Sequence, residues 1–226
     1  MAVSFDLFGT LVTVDVPEDP AAAVTRELAD RGVAVPDDFA VAYRERHVDA
    51  PEGAEVPLPA HVGAALASRG VHPSDNAARR AVVAAFDPDV ERRDGALEAI
   101  AAAGHRGPVG LLSNCSVPEL VSRTLTRAGL RGEFDAVVTS VGCGWRKPDP
   151  RAFEAIAGRL VVPVDALVHV GDDPATDGGV ADAGGRFVDV REVPLASIAT
   201  GEGIENGRAG PEDTEFEVRE GSGCRR

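Results

Sequence analysis

VSFDLFGTLV, residues 3–12, sets a single carboxylate, Asp6, inside an otherwise apolar run and follows it with Gly9-Thr10. Val3–Phe8 is unalternating, the pattern of a strand buried on both faces of a parallel sheet. A polar residue and a glycine where such a strand ends mark the rim at which open α/β sheets bind ligands.

Four more runs of this kind follow: Val109–Ser113, Ala136–Thr139, Ala166–Val170 and Arg186–Val190. Helical stretches separate them. Leu97, Ile100 and Ala101 mark a helix leading into the second run. Ser116 and Glu119 have capping-box spacing ahead of Val121, Leu125 and Ala128, and Gly129 stops that helix. Asp149-Pro150 supplies a cap and first-turn proline before Phe153, Ile156, Ala157 and Leu160. Alternating strand and helix predicts an α/β fold with a doubly wound parallel sheet.

Between the first and second strands, residues 16–90 contain no convincing strand. Asp19-Pro20 opens a helix that Gly32 closes, and further helical pieces are predicted near Asp37–Ala50, Pro59–Ser68 and Asp75–Phe86. This is too long for a crossover. The predicted layout is an α/β core in residues 1–15 and 91–200 and a small helical cap in residues 16–90. Residues 201–226, rich in glycine and charge, are predicted to form a mobile acidic tail.

A length of 226 residues suits one domain, or a core with an insert, and 44% apolar residues suffice for a real core. The net charge of −14 argues against nucleic acid or an anionic membrane surface as partner. No apolar run reaches the roughly 18 residues of a membrane span, and the N-terminus lacks the basic flank of a signal peptide. Cys115, Cys143 and Cys224 are odd in number and far apart, which speaks against a disulfide framework or zinc site. A soluble cytoplasmic protein, monomeric or weakly dimeric, is the expectation. Lys147 is the sole lysine among 23 basic residues, the rest being arginine. With the acidic excess, this is a halophile-like composition.

The predicted strand ends collect Asp6, Gly9 and Thr10, then Ser113 and Asn114, then Lys147, then Gly171, Asp172, Asp173 and Asp177. Each piece has a plain reading: an Asx-turn for Asp6, a helix cap for Ser113-Asn114, a solvated loop for Lys147, a cap or exposed loop for the late aspartates. Their order favours a shared site, where one phosphate-sized ligand could touch all of them. Clustered carboxylates there need a compensating cation, which lysine and a divalent ion can supply.

Four segments together resemble the haloacid dehalogenase (HAD) superfamily of hydrolases: FDLFGTL at 5–11, LSN at 112–114, SVGCGWRKPDP at 140–150 and GDDPATD at 171–177. The resemblance implies a Rossmann-like core with a helical cap and a reaction through an aspartyl-phosphate. It implies Asp6 as nucleophile and Mg²⁺ held by Asp6, the carbonyl of Phe8 and Asp172, with Asp177 in support. Ser113 and Lys147 would contact the transferring phosphoryl group, with Gly9, Thr10 and Asn114 lining the substrate. The implied substrate is a small phosphorylated metabolite.

Phosphatases of the superfamily usually carry a second aspartate, the proton donor, where this chain has Phe8. Three readings follow: a Mg²⁺-dependent phosphatase whose acid lies elsewhere or whose leaving group needs none; a metal-free dehalogenase, which also has an aromatic residue there; and a catalytically impaired binding member. The pair Asp172-Asp173 after Gly171 is hard to justify without a cation, so the first is preferred. Trp145 and Cys143 are expected to pack beside the site and His169 to be a core or inter-strand residue. One of His47, His61 and His72 is a candidate for substrate contact.

Overall fold

The computed structural model describes residues 1–74, 76–200, 203–204 and the backbone of 208–209. In chain order, β1 (Ala2–Phe5) and β2 (Val12–Val14) precede helices α1 (Pro20–Ala29), α2 (Phe39–Arg44), α3 (Leu58–Ala67) and α4 (Ala77–Ala85). Next come β3 (Val90–Arg92), α5 (Ala96–Gly104), β4 (Val109–Ser113), α6 (Leu120–Arg127), β5 (Ala136–Thr139) and α7 (Ser140–Cys143). The described chain ends with α8 (Pro150–Arg159), β6 (Leu167–Gly171), β7 (Arg186–Asp189), α9 (Leu195–Ala199) and β8 (Arg208–Ala209).

The main sheet runs β5-β4-β1-β6-β7-β8. Its first five strands are parallel, and β8 lies antiparallel to β7. Successive residues face opposite sides of the sheet. Val3, Phe5, Leu111, Val168 and Val170 join one core with α5, α6 and α9, while Ala2, Leu112 and Leu167 join a second with Phe153 and Ile156 of α8. Burial on both faces is what removes the alternation from the strand sequences.

Strand ends differ from the sequence expectation for local reasons. β1 stops at Phe5 rather than Phe8, because Leu11 and Val12 both donate to the Leu7 carbonyl and close a tight turn through Gly9 (φ +85°). β6 starts one residue late because Val164–Ala166 winds into a 3₁₀ turn. The caps on α1 and α8 form as predicted: Asp19 accepts from the Ala22 amide and Asp149 from the Arg151 amide, both at 3.0 Å. The Ser116–Glu119 capping box does not form. Glu119 takes a left-handed φ of +66° with no capping bond and pairs instead with Arg79 of α4, while the Ser116 carbonyl accepts from Leu58 of α3. Tertiary contacts outweigh the local cap here.

The four helices α1–α4 lie between β2 and β3, which pair antiparallel as Val12↔Arg92, Thr13↔Glu91 and Val14↔Val90. α2 is shorter than its predicted 37–50 span, since Glu45 is already extended. Besides the Leu58 and Arg79 contacts, this insert touches the core through residues 53–55. Ala54 bridges Trp145, Glu55 N donates to Gly144 O, and Arg146 N donates to Gly53 O, each of these two bonds at 2.9 Å.

The predicted mobile tail needs correction at its start: Ile204 is fully buried and Arg208–Ala209 extends the sheet. Residues 201–202, 205–207 and 210–226 of that predicted tail lie outside the described residues.

Candidate active site

The carboxyl ends of β1, β4 and β6 are neighbours in the sheet, so the residues that follow them meet. Lys147 reaches this point from the loop after α7 and is 3% exposed. Its Nζ donates to Asp6 Oδ1 at 2.7 Å, Asp177 Oδ1 at 2.6 Å and the Leu112 carbonyl at 2.9 Å. An ammonium has three N–H donors, and these three acceptors match them.

Carboxylate oxygens of Asp6, Asp172 and Asp177 lie within 4.8 Å of one another. Asp172 is held by Thr10, whose Oγ1 donates to its Oδ1 at 3.0 Å. A side chain at Gly9 would collide with Asp172, and one at Gly171 with Asp177, so both glycines make room for the acidic groups. The backbone N–H of Asp173 donates to Asp177 Oδ2 at 3.1 Å, leaving Asp177 engaged at both oxygens.

Three carboxylates against one ammonium leave an excess negative charge in a half-enclosed site. The Asp6 carboxyl is raised to about 6: burial pushes it up, Lys147 pulls it down, and Asp177 pushes it up again. Burial would also raise Asp177, but the hydrogen bond from His169 and the charge of Lys147 hold it well below the usual carboxylate range. Lys147 stays charged: burial disfavours its ammonium, and Asp6 and Asp177 more than compensate. An oxygen-only acidic set with unbalanced charge fits a hard divalent cation such as Mg²⁺.

Asn114, expected at the substrate, lines the cavity here and also ties down the lysine loop. Its Oδ1 accepts from Lys147 N at 2.8 Å and its Nδ2 donates to Lys147 O at 2.9 Å. Thr10 likewise serves Asp172, and the carbonyls of Gly9 and Thr10 accept from Arg93. The Ser113 hydroxyl is buried without a partner, a donor left over for something else. A cavity of about 320 Å³ opens here, lined by Asp6, Phe8, Asn114, Arg146, Lys147 and Asp172 among others.

Two contributors went unrecognised in the sequence. His169 is fully buried; its Nε2 lies 3.2 Å from Asp177 Oδ1 and 3.4 Å from Lys147 Nζ, and its Nδ1 lies 2.8 Å from Ser4 Oγ. Burial and the nearby Lys147 keep its ring neutral, so Nε2–H donates to Asp177 and Nδ1 accepts from Ser4. The expected core histidine thus braces the acidic cluster. Ser4 and His169 stand opposite each other on paired strands, a signal that only a register between β1 and β6 reveals. The second is Arg93, whose partners lie 83 and 84 residues earlier.

The cap histidines do not line this cavity. His47 and His61 hydrogen-bond the Ala42 and Tyr43 carbonyls within the insert, both at 2.7 Å. Trp145 packs against the second core, its ring stacked under the Arg151 guanidinium at 3.2 Å. Among the described residues, no helix is long and apolar enough to cross a membrane.

A profile of haloacid dehalogenase-like hydrolases matches residues 1–185. A human protein, haloacid dehalogenase-like hydrolase domain-containing protein 3, is 52% identical over 50 residues, 22% of this chain. That match spans only 20% of the human protein's length. Among solved structures, a 2-haloacid dehalogenase from Pseudomonas syringae pv. Tomato DC3000 superposes with a TM-score of 0.61 at 24% identity, covering 83% of this chain and 85% of the other. A predicted phosphoglycolate phosphatase from Haemophilus somnus 129pt gives 0.53 at 18% identity, covering 83% and 84%. A magnesium-bound HAD-hydrolase from Bacillus subtilis also gives 0.53 at 18%, covering 82% and 86%. At these identities the structures establish a common fold.

Proposed function

The chain belongs to the haloacid dehalogenase-like hydrolases, and on that premise we propose that it is a Mg²⁺-dependent phosphatase acting on a small phosphorylated metabolite. The observation that carries this reading is the acidic triad Asp6, Asp172 and Asp177 around one buried lysine. Hydrolysis without a metal gives no reason to gather that much negative charge.

In this mechanism the Asp6 carboxylate attacks phosphorus, and the bond to the leaving oxygen breaks with its electron pair on that oxygen. Water then adds to phosphorus, the Asp6–phosphoryl bond breaks, and the released proton passes to solvent and phosphate. Lys147 neutralises the nucleophile and the phosphoryl oxygens. Ser113 donates its free hydroxyl to a phosphoryl oxygen. Asn114 fixes the lysine loop, and Thr10 aims Asp172. Asp6, the Phe8 carbonyl and Asp172 would hold Mg²⁺, with Asp177 in support. The ion would add the positive charge that stabilises the phosphoryl group in transfer. Phe8 has no proton to give, which favours leaving groups that depart as stable anions.

The test is hydrolysis of an activated aryl or acyl phosphate. Turnover should require Mg²⁺, stop with chelator and vanish in Asp6→Asn. The aromatic Phe8 favours a second reading, cleavage of a carbon–halogen bond: chloride released from a 2-chloro acid in chelator would establish it and refute the first. Failure of both activities with tight phosphate binding would mean a binding protein.

A further inference from the structure

A second cavity, of about 280 Å³, adjoins the polar site. Phe8 and Asn114 line both. Beyond them its wall is mostly apolar: Val14 of β2, Phe86 just past α4, Val117 in the loop before α6, and Leu120 at the start of α6. Among its lining residues Asp15 alone bears a charge. We propose that this cavity receives the leaving group, and that the substrate class is a short acyl or aryl phosphate with no second anionic group.

This deepens the phosphatase reading and rests on it. The size is suited, since an apolar cavity of about 150 Å³ already accommodates benzene. The charge is selective. A second carboxylate or phosphate on the leaving group would lose water without meeting a cation in the wall, and Asp15 would repel it. The proton chemistry agrees as well. Phe8 stands where the two cavities meet and cannot protonate a departing oxygen. When Asp6 attacks phosphorus, the P–O bond breaks and a carboxylate or aryloxide leaves with the electron pair, needing no proton at that moment. Phe8 thereby offers an apolar wall to a leaving group that has no use for an acid.

The full-length protein with Mg²⁺ should be assayed against acetyl, propionyl and butyryl phosphate. In parallel, methyl-, butyl- and carboxyethylphosphonate should be titrated by calorimetry. We expect kcat/KM to rise about fourfold per added methylene until the cavity fills. Butylphosphonate should bind more tightly than methylphosphonate, and carboxyethylphosphonate most weakly. Val117→Thr keeps the side-chain volume but adds a hydroxyl, and should flatten the dependence on chain length. Mg²⁺-dependent turnover with no chain-length trend, or tightest binding of carboxyethylphosphonate, would overturn the leaving-group assignment while the phosphatase reading stands. No turnover of any acyl or aryl phosphate would remove both.

Discussion

The side-chain amide of Asn114 closes a two-bond ring on the backbone of Lys147, 33 residues away in sequence, accepting from its N–H and donating to its carbonyl. The loop that delivers the ammonium to Asp6 is thereby tied to the end of β4. Asn114→Ala should leave the fold intact but loosen this loop. We expect kcat to fall about 10–100-fold with a smaller change in KM, and Asn114→Asp, which keeps the acceptor, to recover part of the loss. Unchanged kcat in Asn114→Ala would show that the loop holds itself.

Lys147→Arg tests whether a compact charge is needed. The Nζ sits within 3 Å of Asp6, Asp177 and the Leu112 carbonyl, a space too small for a planar guanidinium. Activity should fall at least about 10²-fold. Lys147→Met, which leaves the two carboxylates without their cation, should also destabilise the fold by about 3–5 kcal/mol, read from denaturant unfolding.

The pH dependence of metal-free stability should carry the mark of Asp6. Its folded pKa is raised by burial from 3.8 to about 6, so its contribution is fully present below pH 3.8 and is lost as pH rises through about 6. His169 acts oppositely: its pKa is lowered from 6.5 by burial, so stability is lost as pH falls below that value. Comparing wild type with Asp6→Asn cancels the histidine, and Lys147 stays charged throughout. Between pH 5 and 7 in chelator, Asp6→Asn should gain stability over wild type by roughly 1 kcal/mol, the part of the shift that is lost above pH 5. A parallel pair of melting curves would refute a raised Asp6.

Phe8→Asp would place a proton donor at the junction of the two cavities. Turnover of alkyl phosphates, whose leaving groups are strongly basic, should rise toward the 10²–10⁴-fold that general acids typically provide, while aryl phosphates change little. An unchanged alkyl phosphate rate would mean that another group already supplies the proton.

Much of the site was legible because its parts recur at strand ends. Asp6, Ser113 and Asp172 each close or follow an apolar run, and a parallel sheet brings such ends to one rim. The bracing of the site was not legible. Ser4 and His169 are 165 residues apart, and nothing near either names the other. The Ser116–Glu119 spacing predicts a cap, but the pair forms a docking corner, because Arg79 and Leu58 offer those groups better partners than the helix does.

By itself, then, the order of residues determined the alternation of strand and helix, the acidic and basic groups available at the rim, and the family. These depend on periodicity and on short local runs. The tertiary structure alone decided which hydroxyl faces which imidazole, that Asn114 ties down the lysine loop, and that an apolar chamber opens beside Phe8. Such pairings follow from strand register and from the packing of the helical insert on the core, and both are settled between segments that are remote along the chain.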